Sequence, residues 1–188
     1  MDMPTYVKES ARTAAPNYPL GRELFVNDFQ VAVQLMNIII AANEADAAKR
    51  SLFYKTSNEK LAERLSLAGT TMGDVMNTLS DKGIGITNEE FDFIHGALGM
   101  VSEVGEMLEE FLKAKAEGRK MDLPNIKEEN GDVMWYLAMW MRYFNLSFED
   151  CAEANIAKLR VRFPDKFTEE NAHDRNIDKE MEALEGAA

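Results

Sequence analysis

Cysteine is almost absent from this chain of 188 residues, because Cys151 is the only one. A single cysteine excludes a disulfide within the chain and is typical of proteins of the reducing cytoplasm. Long apolar runs are also missing. The most apolar segment, residues 31–42, contains Gln34 and Asn37 and is too short to span a membrane. The chain opens without a charged and then apolar leader, so we expect a cytoplasmic protein that is not secreted.

Positive charge is scarce as well. The chain has 21 Lys and Arg residues against 33 Asp and Glu residues, which gives a formal net charge of −12 at pH 7. Proteins that bind nucleic acids use Lys and Arg to neutralise phosphates, so this balance argues against a nucleic-acid partner. An acidic protein can still bind a polyphosphate when metal ions lie between the two.

Proline occurs only five times and divides the sequence into segments with helical periodicity. No segment shows the alternation of β-branched residues that is typical of strands, so we predict an all-α fold. Thr87 and Glu90 have the spacing of a capping box at the start of one helix. The predicted helices cover residues 4–13, 21–50, 57–66, 70–80, 88–117, 124–144, 148–161 and 174–185.

The helix predicted over residues 88–117 is rich in acid within the segment GMVSEVGEMLEE (99–110). Glu103, Glu106 and Glu110 share one face of it, because a helix advances about 100° per residue. Like charges one turn apart repel by roughly a few tenths of a kcal/mol. We therefore expect positive charge close to this face.

A second acidic pair lies on the helix predicted over residues 124–144. Glu129 and Asp132 are three residues apart and share a face, and Glu128 lies one turn before Asp132. The sequence NGD at residues 130–132 places poor helix formers inside a helix, a local violation that often marks a functional site.

Two packed helices that each carry acids at i and i+3 would bring four carboxylates together. Carboxylate oxygens are hard ligands, suited to Mg²⁺ or Mn²⁺. A carboxylate-bridged di-iron bundle is the competing interpretation. It requires a Glu-x-x-His pair from each of two helices, and His95 does not follow a glutamate at that spacing. The chain therefore lacks the two pairs that such a bundle needs, and the di-iron interpretation is disfavoured.

Three consecutive blocks carry a resemblance to a known family. They are HGALGMVSEVGEMLEEFLKAKAEG (95–118), IKEENGDVMWYLAMW (126–140) and NIAKLRVRFPDKF (155–167). Together they resemble the MazG-like nucleoside triphosphate pyrophosphohydrolases, which use E-x-x-E, a spacer, E-x-x-D and a downstream Asn/Lys/Arg helix. The resemblance implies an all-α helical bundle that assembles as a homo-oligomer, a dimer or a tetramer.

The same resemblance implies hydrolysis of nucleoside triphosphates, ribo or deoxy, between the α and β phosphates. The products would be a nucleoside monophosphate and pyrophosphate. The residues implied to be catalytic and to hold Mg²⁺, with Mn²⁺ as an alternative, are Glu103, Glu106, Glu129 and Asp132. The residues expected to contact the substrate phosphates are Asn155, Lys158, Arg162 and Lys113. Whether one of the four acids or Glu128 positions the attacking water stays open.

Other interpretations stand beside this one. A catalytically weak helical protein that senses nucleotides or binds a partner could use the same scaffold. A metal-buffering bundle is a third hypothesis, but it leaves the cations of the 148–161 helix without a role. Lys158 and Arg162 could instead pair with surface acids, and Trp135 and Tyr136 could pack in the core instead of stacking on a base.

Residues 1–87 precede the region of resemblance, residues 88–188, and we predict that the two pack as one domain. The segment GDVMNTL (73–79) repeats GDVMWYL (131–137) at five of seven positions. Residues 1–87 are therefore predicted to include a degenerate copy of the catalytic unit. In that copy the four acids would be replaced by Asn43, Asp46, Thr71 and Asp74.

Overall fold

The computed structural model describes residues 1–12, 28–82 and 85–186 of the chain. Within these ranges all the regular elements are helices, which confirms the predicted all-α class. In chain order the helices of the described ranges are α1 (Met3–Ala11), α2 (Asp28–Tyr54), α3 (Asn58–Lys82), α4 (Asn88–Glu117), α5 (Leu123–Phe144), α6 (Phe148–Arg162), α7 (Glu169–His173) and α8 (Ile177–Glu185). None of these helices combines the length and the apolar character needed to cross a membrane.

The predicted break between residues 66 and 70 is wrong, because α3 runs without interruption from Asn58 to Lys82. A glycine inside a helix costs about 1 kcal/mol relative to alanine, which is too little to end a helix in a favourable surrounding sequence. Gly69 and Gly73 both lie in open space, and the hydroxyl of Thr70 donates a hydrogen bond of 3.0 Å to the carbonyl of Ser66. The helix therefore tolerates both glycines.

Two differences occur near the carboxyl end of the chain. The short helix α7 was not predicted; it begins after Thr168, whose hydroxyl accepts a hydrogen bond from the amide of Asn171 (3.1 Å). Helix α8 begins at Ile177, later than predicted, because Asn176 caps it by accepting a hydrogen bond from the amide of Lys179 (3.1 Å). At the other end of the chain, part of the helix predicted over residues 21–50 lies outside the described residues.

The chain divides into two compact units, each built from two stretches of the sequence. The first unit comprises Met1–Arg22 and Ile86–Phe148, and the second comprises Glu23–Gly85 and Glu149–Ala188. Helices α1, α4 and α5 thus belong to the first unit, whereas α2, α3, α7 and α8 belong to the second. The internal repeat and the packing of the chain as one domain stay predictions.

Helices α4 and α5 of the first unit pack closely because α4 carries glycines where aromatic rings of α5 lie. A Cβ atom on Gly96 would lie 2.7 Å from Cδ1 of Trp140, and one on Gly99 would overlap the ring of Tyr136. The indole of Trp140 donates a hydrogen bond of 2.8 Å to the carbonyl of Phe93, and the two rings stack at 5.1 Å. Tyr136 and Trp140 thereby fix the position of α5 against α4.

Helix α1 docks on α5 through polar contacts of its central and carboxyl-terminal residues. The hydroxyl of Tyr6 donates a hydrogen bond of 3.0 Å to the carbonyl of Gly131. The guanidinium of Arg142 donates to the hydroxyl of Ser10 (2.6 Å) and to the carbonyl of Val7 (3.2 Å). These contacts bring the amino-terminal helix beside the acidic part of α5.

In the second unit, α2 and α3 form a hairpin with an ion-pair cluster at Asp46. Its carboxylate pairs with Lys49 and Arg50 of α2, both at 2.7 Å, and with Arg64 of α3 at 3.5 Å. Hydrogen bonds from Lys49 and Arg50 lower the pKa of Asp46 to about 2. The repeat hypothesis aligns this residue with Glu106, but the three cations leave Asp46 no excess negative charge for a metal ion.

Candidate functional site

Three carboxylates converge between α4 and α5. Glu103 and Glu106 of α4 and Glu129 of α5 each place one oxygen within 4.8 Å of the others. Glu103 and Glu106 share a face of α4 because they are one turn apart, and the close α4–α5 packing brings Glu129 opposite them. This is the arrangement that the E-x-x-E and E-x-x-D spacings predicted for these three residues.

The three acids differ in exposure. Glu129 is only 5% exposed, Glu103 is half-buried and Glu106 is exposed. In the described part of the chain, no Lys or Arg side chain forms an ion pair with any of the three. Burying an ionised carboxylate without a positive partner is costly. A bound divalent cation would remove that cost, so the donor set fits a hard metal ion.

The pKa of Glu103 is shifted by burial and by the neighbouring carboxylates. Burial, the contact with the carboxyl of Glu129 and the charge of Glu106 together raise the pKa of Glu103 above its usual value. A hydrogen bond of 3.3 Å from the hydroxyl of Ser102 acts in the opposite direction. The site thus favours positive charge, either as a proton or as a metal ion.

Asp132 lies one turn beyond Glu129 but does not belong to the group of three. Its side chain is exposed, and its charge contributes to raising the pKa of both Tyr6 and Tyr136, after the larger effect of burial. The two tyrosines therefore lie near the acidic end of this site. Glu128, the alternative candidate for positioning a water, is also exposed.

Glu110 shares a face with Glu103 and Glu106 in the sequence, yet it has a different partner in the structure. Arg119 donates two hydrogen bonds to its carboxylate (2.6 and 2.9 Å), and the amide of Asp122 donates a third (2.6 Å). These bonds lower the pKa of Glu110 to about 2. With the left-handed Gly118 (φ 64°), this contact closes the turn between α4 and α5.

Lys113 forms an ion pair of 2.7 Å with Glu109, one turn earlier on α4. Both side chains are exposed, and the hydrogen bond to Glu109 raises the pKa of Lys113. Exposed pairs of this kind contribute little to stability, so the lysine can leave Glu109 for a phosphate at small cost.

The remaining predicted substrate residues lie on α6, in the second unit. Asn155 is exposed and Lys158 is half-buried. Arg162 binds the buried carboxylate of Glu180 through Nε (3.0 Å) and a second nitrogen (2.5 Å). Arg175 binds the same carboxylate at 3.2 and 2.6 Å. Part of the Arg162 guanidinium is therefore occupied by a protein acid.

Sequence reasoning did not identify Asn125, Ser102, Tyr136 or Arg175 as part of these constellations. Asn125 donates a hydrogen bond of 2.7 Å to Glu129, and its position one turn before that acid was the available signal. Tyr136 was considered only for base stacking or packing, and its ring packs against Gly99. Nothing in the spacing indicated that Arg175 would share Glu180 with Arg162.

Comparison with known proteins bears on the central and carboxyl-terminal part of the chain. No curated protein and no solved structure matched the chain. Residues 95–167, which contain the three clustered carboxylates, Asp132 and the predicted residues of α6, match a family model. That model describes the MazG nucleotide pyrophosphohydrolase domain, so the resemblance predicted for this part of the chain is confirmed.

Proposed function

We propose that the protein hydrolyses nucleoside triphosphates, ribo or deoxy, between the α and β phosphates. Water hydrolyses the phosphoanhydride bond between the α and β phosphorus atoms, which yields a nucleoside monophosphate and pyrophosphate. The observation that carries the proposal is the group formed by Glu103, Glu106 and Glu129, whose oxygens approach within 4.8 Å without a cationic partner in the described chain. The match to a nucleotide pyrophosphohydrolase domain supports the same activity class.

We infer that these three acids and Asp132 hold Mg²⁺, with Mn²⁺ as an alternative. The donor set is made only of hard carboxylate oxygens, which both ions prefer. When bound, such an ion supplies positive charge to the phosphate oxygens and lowers the pKa of a water. The chain itself supplies the fixed carboxylates, and one of the four acids or Glu128 takes the proton of the water.

We propose that four side chains contact the substrate phosphates, three on α6 and one on α4. Asn155, Lys158 and Arg162 follow each other at i, i+3 and i+7 on α6, and so offer an amide, an ammonium and a guanidinium from one face. Arg162 keeps donors beyond the two that bind Glu180. Lys113 adds a cation from the end of α4.

We further propose that copies of the chain associate. Along α4, apolar side chains are exposed on one face around Gly105, which has open space beside it. Leu108 and Leu112 are 59% and 65% exposed. A self-complementary apolar face is what a two-fold dimer requires. Light scattering on the wild type and on Leu108→Glu tests this, and a wild-type monomer would contradict it.

The decisive experiment is a panel of ribo- and deoxyribonucleoside triphosphates assayed for pyrophosphate release with Mg²⁺, with Mn²⁺ and with EDTA. We expect metal-dependent release of pyrophosphate, together with the matching monophosphate. Nucleotide binding without release would favour the sensing or partner-binding alternative. Release of inorganic phosphate alone would contradict cleavage between the α and β phosphates.

A further inference from the structure

The buried carboxylate of Glu129 receives a hydrogen bond from one amide side chain, that of Asn125. The distance from Nδ2 to Oε1 is 2.7 Å, and the two residues are one turn apart at the start of α5. We propose that Asn125 is a positioning residue that fixes Glu129 for metal binding. This inference rests on the proposed function, because it assumes that the clustered acids hold a divalent cation.

Glu129 is the member of the cluster that most needs such a partner. It is 5% exposed, so little water reaches its oxygens, whereas Glu106 is exposed. Glu103 receives only a longer hydrogen bond, 3.3 Å, from the neighbouring Ser102. Leaving a buried carboxylate oxygen without a donor would cost more free energy of folding than the hydrogen bond itself contributes. The hydrogen bond from Asn125 satisfies this oxygen and thereby holds the carboxylate in one orientation.

The chemical nature of the donor matters as much as its position. A Lys or Arg at residue 125 would cancel the charge of Glu129 and compete with a cation, and a carboxylate would repel it. A neutral amide orients the carboxylate and leaves its charge in place. Groups that orient metal ligands in this way commonly affect metal affinity without touching the ion.

Asn130 shows that this contact is not a general property of asparagines on α5. Its amide donates to the carbonyl of Ile126 (2.6 Å) and contacts the sulfur of Met107 (3.4 Å), and its side chain is exposed. Asn130 shares with Asn125 the residue type, the helix and the one-turn spacing of its hydrogen bond. Among the described residues, however, its side chain forms no hydrogen bond with an acid of the cluster. It therefore provides a matched control.

The experiment measures Mn²⁺ binding to the full-length protein without nucleotide, by calorimetry and by electron paramagnetic resonance. We expect Asn125→Ala to raise the Kd for Mn²⁺ about tenfold, the range typical of outer-shell partners. Asn125→Gln keeps an amide one turn from Glu129 and is expected to restore part of the affinity. Asn130→Ala is expected to bind Mn²⁺ like the wild type. Thermal unfolding in EDTA checks that each variant is folded.

A second readout separates positioning from a direct role in the reaction. Turnover of Asn125→Ala is expected to need more Mg²⁺ and to reach a kcat near that of the wild type once Mg²⁺ saturates. Unchanged Mn²⁺ affinity in Asn125→Ala would overturn the inference, as would an equal loss in Asn130→Ala. If the wild type binds no Mn²⁺, the metal centre and this inference both fail. Weaker Mn²⁺ binding in Asn125→Ala without any nucleotide hydrolysis would uphold the inference and refute the proposed function.

Discussion

At the scale of single residues, the acids of α4 divide by their partners. Glu103 and Glu106 approach Glu129, whereas Glu109 pairs with Lys113 and Glu110 pairs with Arg119. The first group has no cationic partner in the described chain, and the second has one for each acid. The cation-free acids are therefore the ones expected to respond to a divalent ion.

Glu106→Gln and Asp132→Asn are expected to reduce pyrophosphate release by roughly a hundredfold or more, because a direct ligand should matter more than its outer-shell partners. The fold should persist, since removing one like charge relieves repulsion in the metal-free protein. Glu109→Gln is the matched control on the same helix and should retain activity. Near-normal Mg²⁺-dependent activity of either site variant would show that the four-carboxylate site is misassigned.

Lys158→Ala is expected to raise the KM for nucleoside triphosphates about tenfold, the loss expected for one charge-assisted phosphate contact. Lys179→Ala, on α8, should leave KM unchanged. Arg162→Ala should also raise KM, but it removes a partner of Glu180 and needs a parallel measurement of stability. Steady-state kinetics measure these KM values. Equally small changes in KM for Lys158→Ala and Lys179→Ala would mean that Lys158 pairs with surface acids and does not bind phosphate.

The one-turn spacing of acids on two consecutive helices, together with the family resemblance, led to the expectation that Glu103, Glu106 and Glu129 would lie together, and their oxygens lie within 4.8 Å of one another. It could not separate Glu110 from them, because spacing places all the α4 acids of that face together. The partner of Glu110 is Arg119, and that contact exists only once the turn through Gly118 has formed. The role of Asn125 was equally hidden, since it depends on the burial of Glu129.

At the scale of elements, local signals predicted most helices and failed where tertiary context decides. The start of α4 was predicted because Thr87 and Glu90 form a capping box, with bonds of 2.7 and 3.3 Å. The glycines of α4 were not predicted to be packing sites, because only the position of α5 distinguishes them. The Trp140 ring lies against Gly96 and the Tyr136 ring against Gly99, whereas open space lies beside Gly105.

Gly99→Ala is therefore expected to destabilise the protein by about 2 kcal/mol, because its methyl group overlaps the ring of Tyr136. Gly73→Ala, on α3, should stabilise it by about 0.5–1 kcal/mol through helix propensity alone, because a Cβ atom there meets open space. Urea unfolding of both variants measures the two signs. Equal effects of the two substitutions would contradict the close α4–α5 contact.

The contact between α6 and α8 depends on a carboxylate held by two guanidiniums. Hydrogen bonds from Arg162 and Arg175 lower the pKa of Glu180 to about 2, from a usual value of 4.5. Because the pKa of Glu180 is lower in the folded state than in the unfolded state, its charge stabilises the folded state at pH values above 4.5. This stabilisation is lost as the pH falls from 4.5 towards 2. Glu180→Gln should cost about 2 kcal/mol at pH 7, allowing for solvent around the arginines.

Urea unfolding of the wild type and Glu180→Gln at pH 7, 4 and 3 tests this dependence. The difference in unfolding free energy between the two proteins should narrow as the pH falls. A difference that stays constant down to pH 3 would mean that the charge of Glu180 does not contribute to the contact.

At the scale of the whole molecule, each compact unit is built from segments that are distant in sequence. Within the second unit, the ring of Phe167 stacks on Tyr54 at 5.9 Å, and His173 contacts the carbonyl of the same tyrosine at 2.7 Å. Lys55 and Glu169 add an ion pair of 2.5 Å. The segment around α7 therefore needs the end of α2 for its packing.

Deletion of residues 20–86 is expected to prevent folding, because it removes α2 and α3 and leaves the residues around α7 without their partners. Soluble yield and circular dichroism of the deletion variant provide the measurement. A soluble and active deletion variant would show that these residues are a dispensable insertion, and it would also remove the basis for a degenerate repeat.

The turn closed by Glu110 and Arg119 also affects how the protein reaches its native state. The three clustered carboxylates come from one helical hairpin, so they meet after the closure of a short loop and without waiting for distant segments. Contacts between near neighbours in sequence generally form faster than contacts between remote ones. The acids therefore repel one another early in folding, and a divalent cation that binds them at that stage would accelerate refolding more than it slows unfolding.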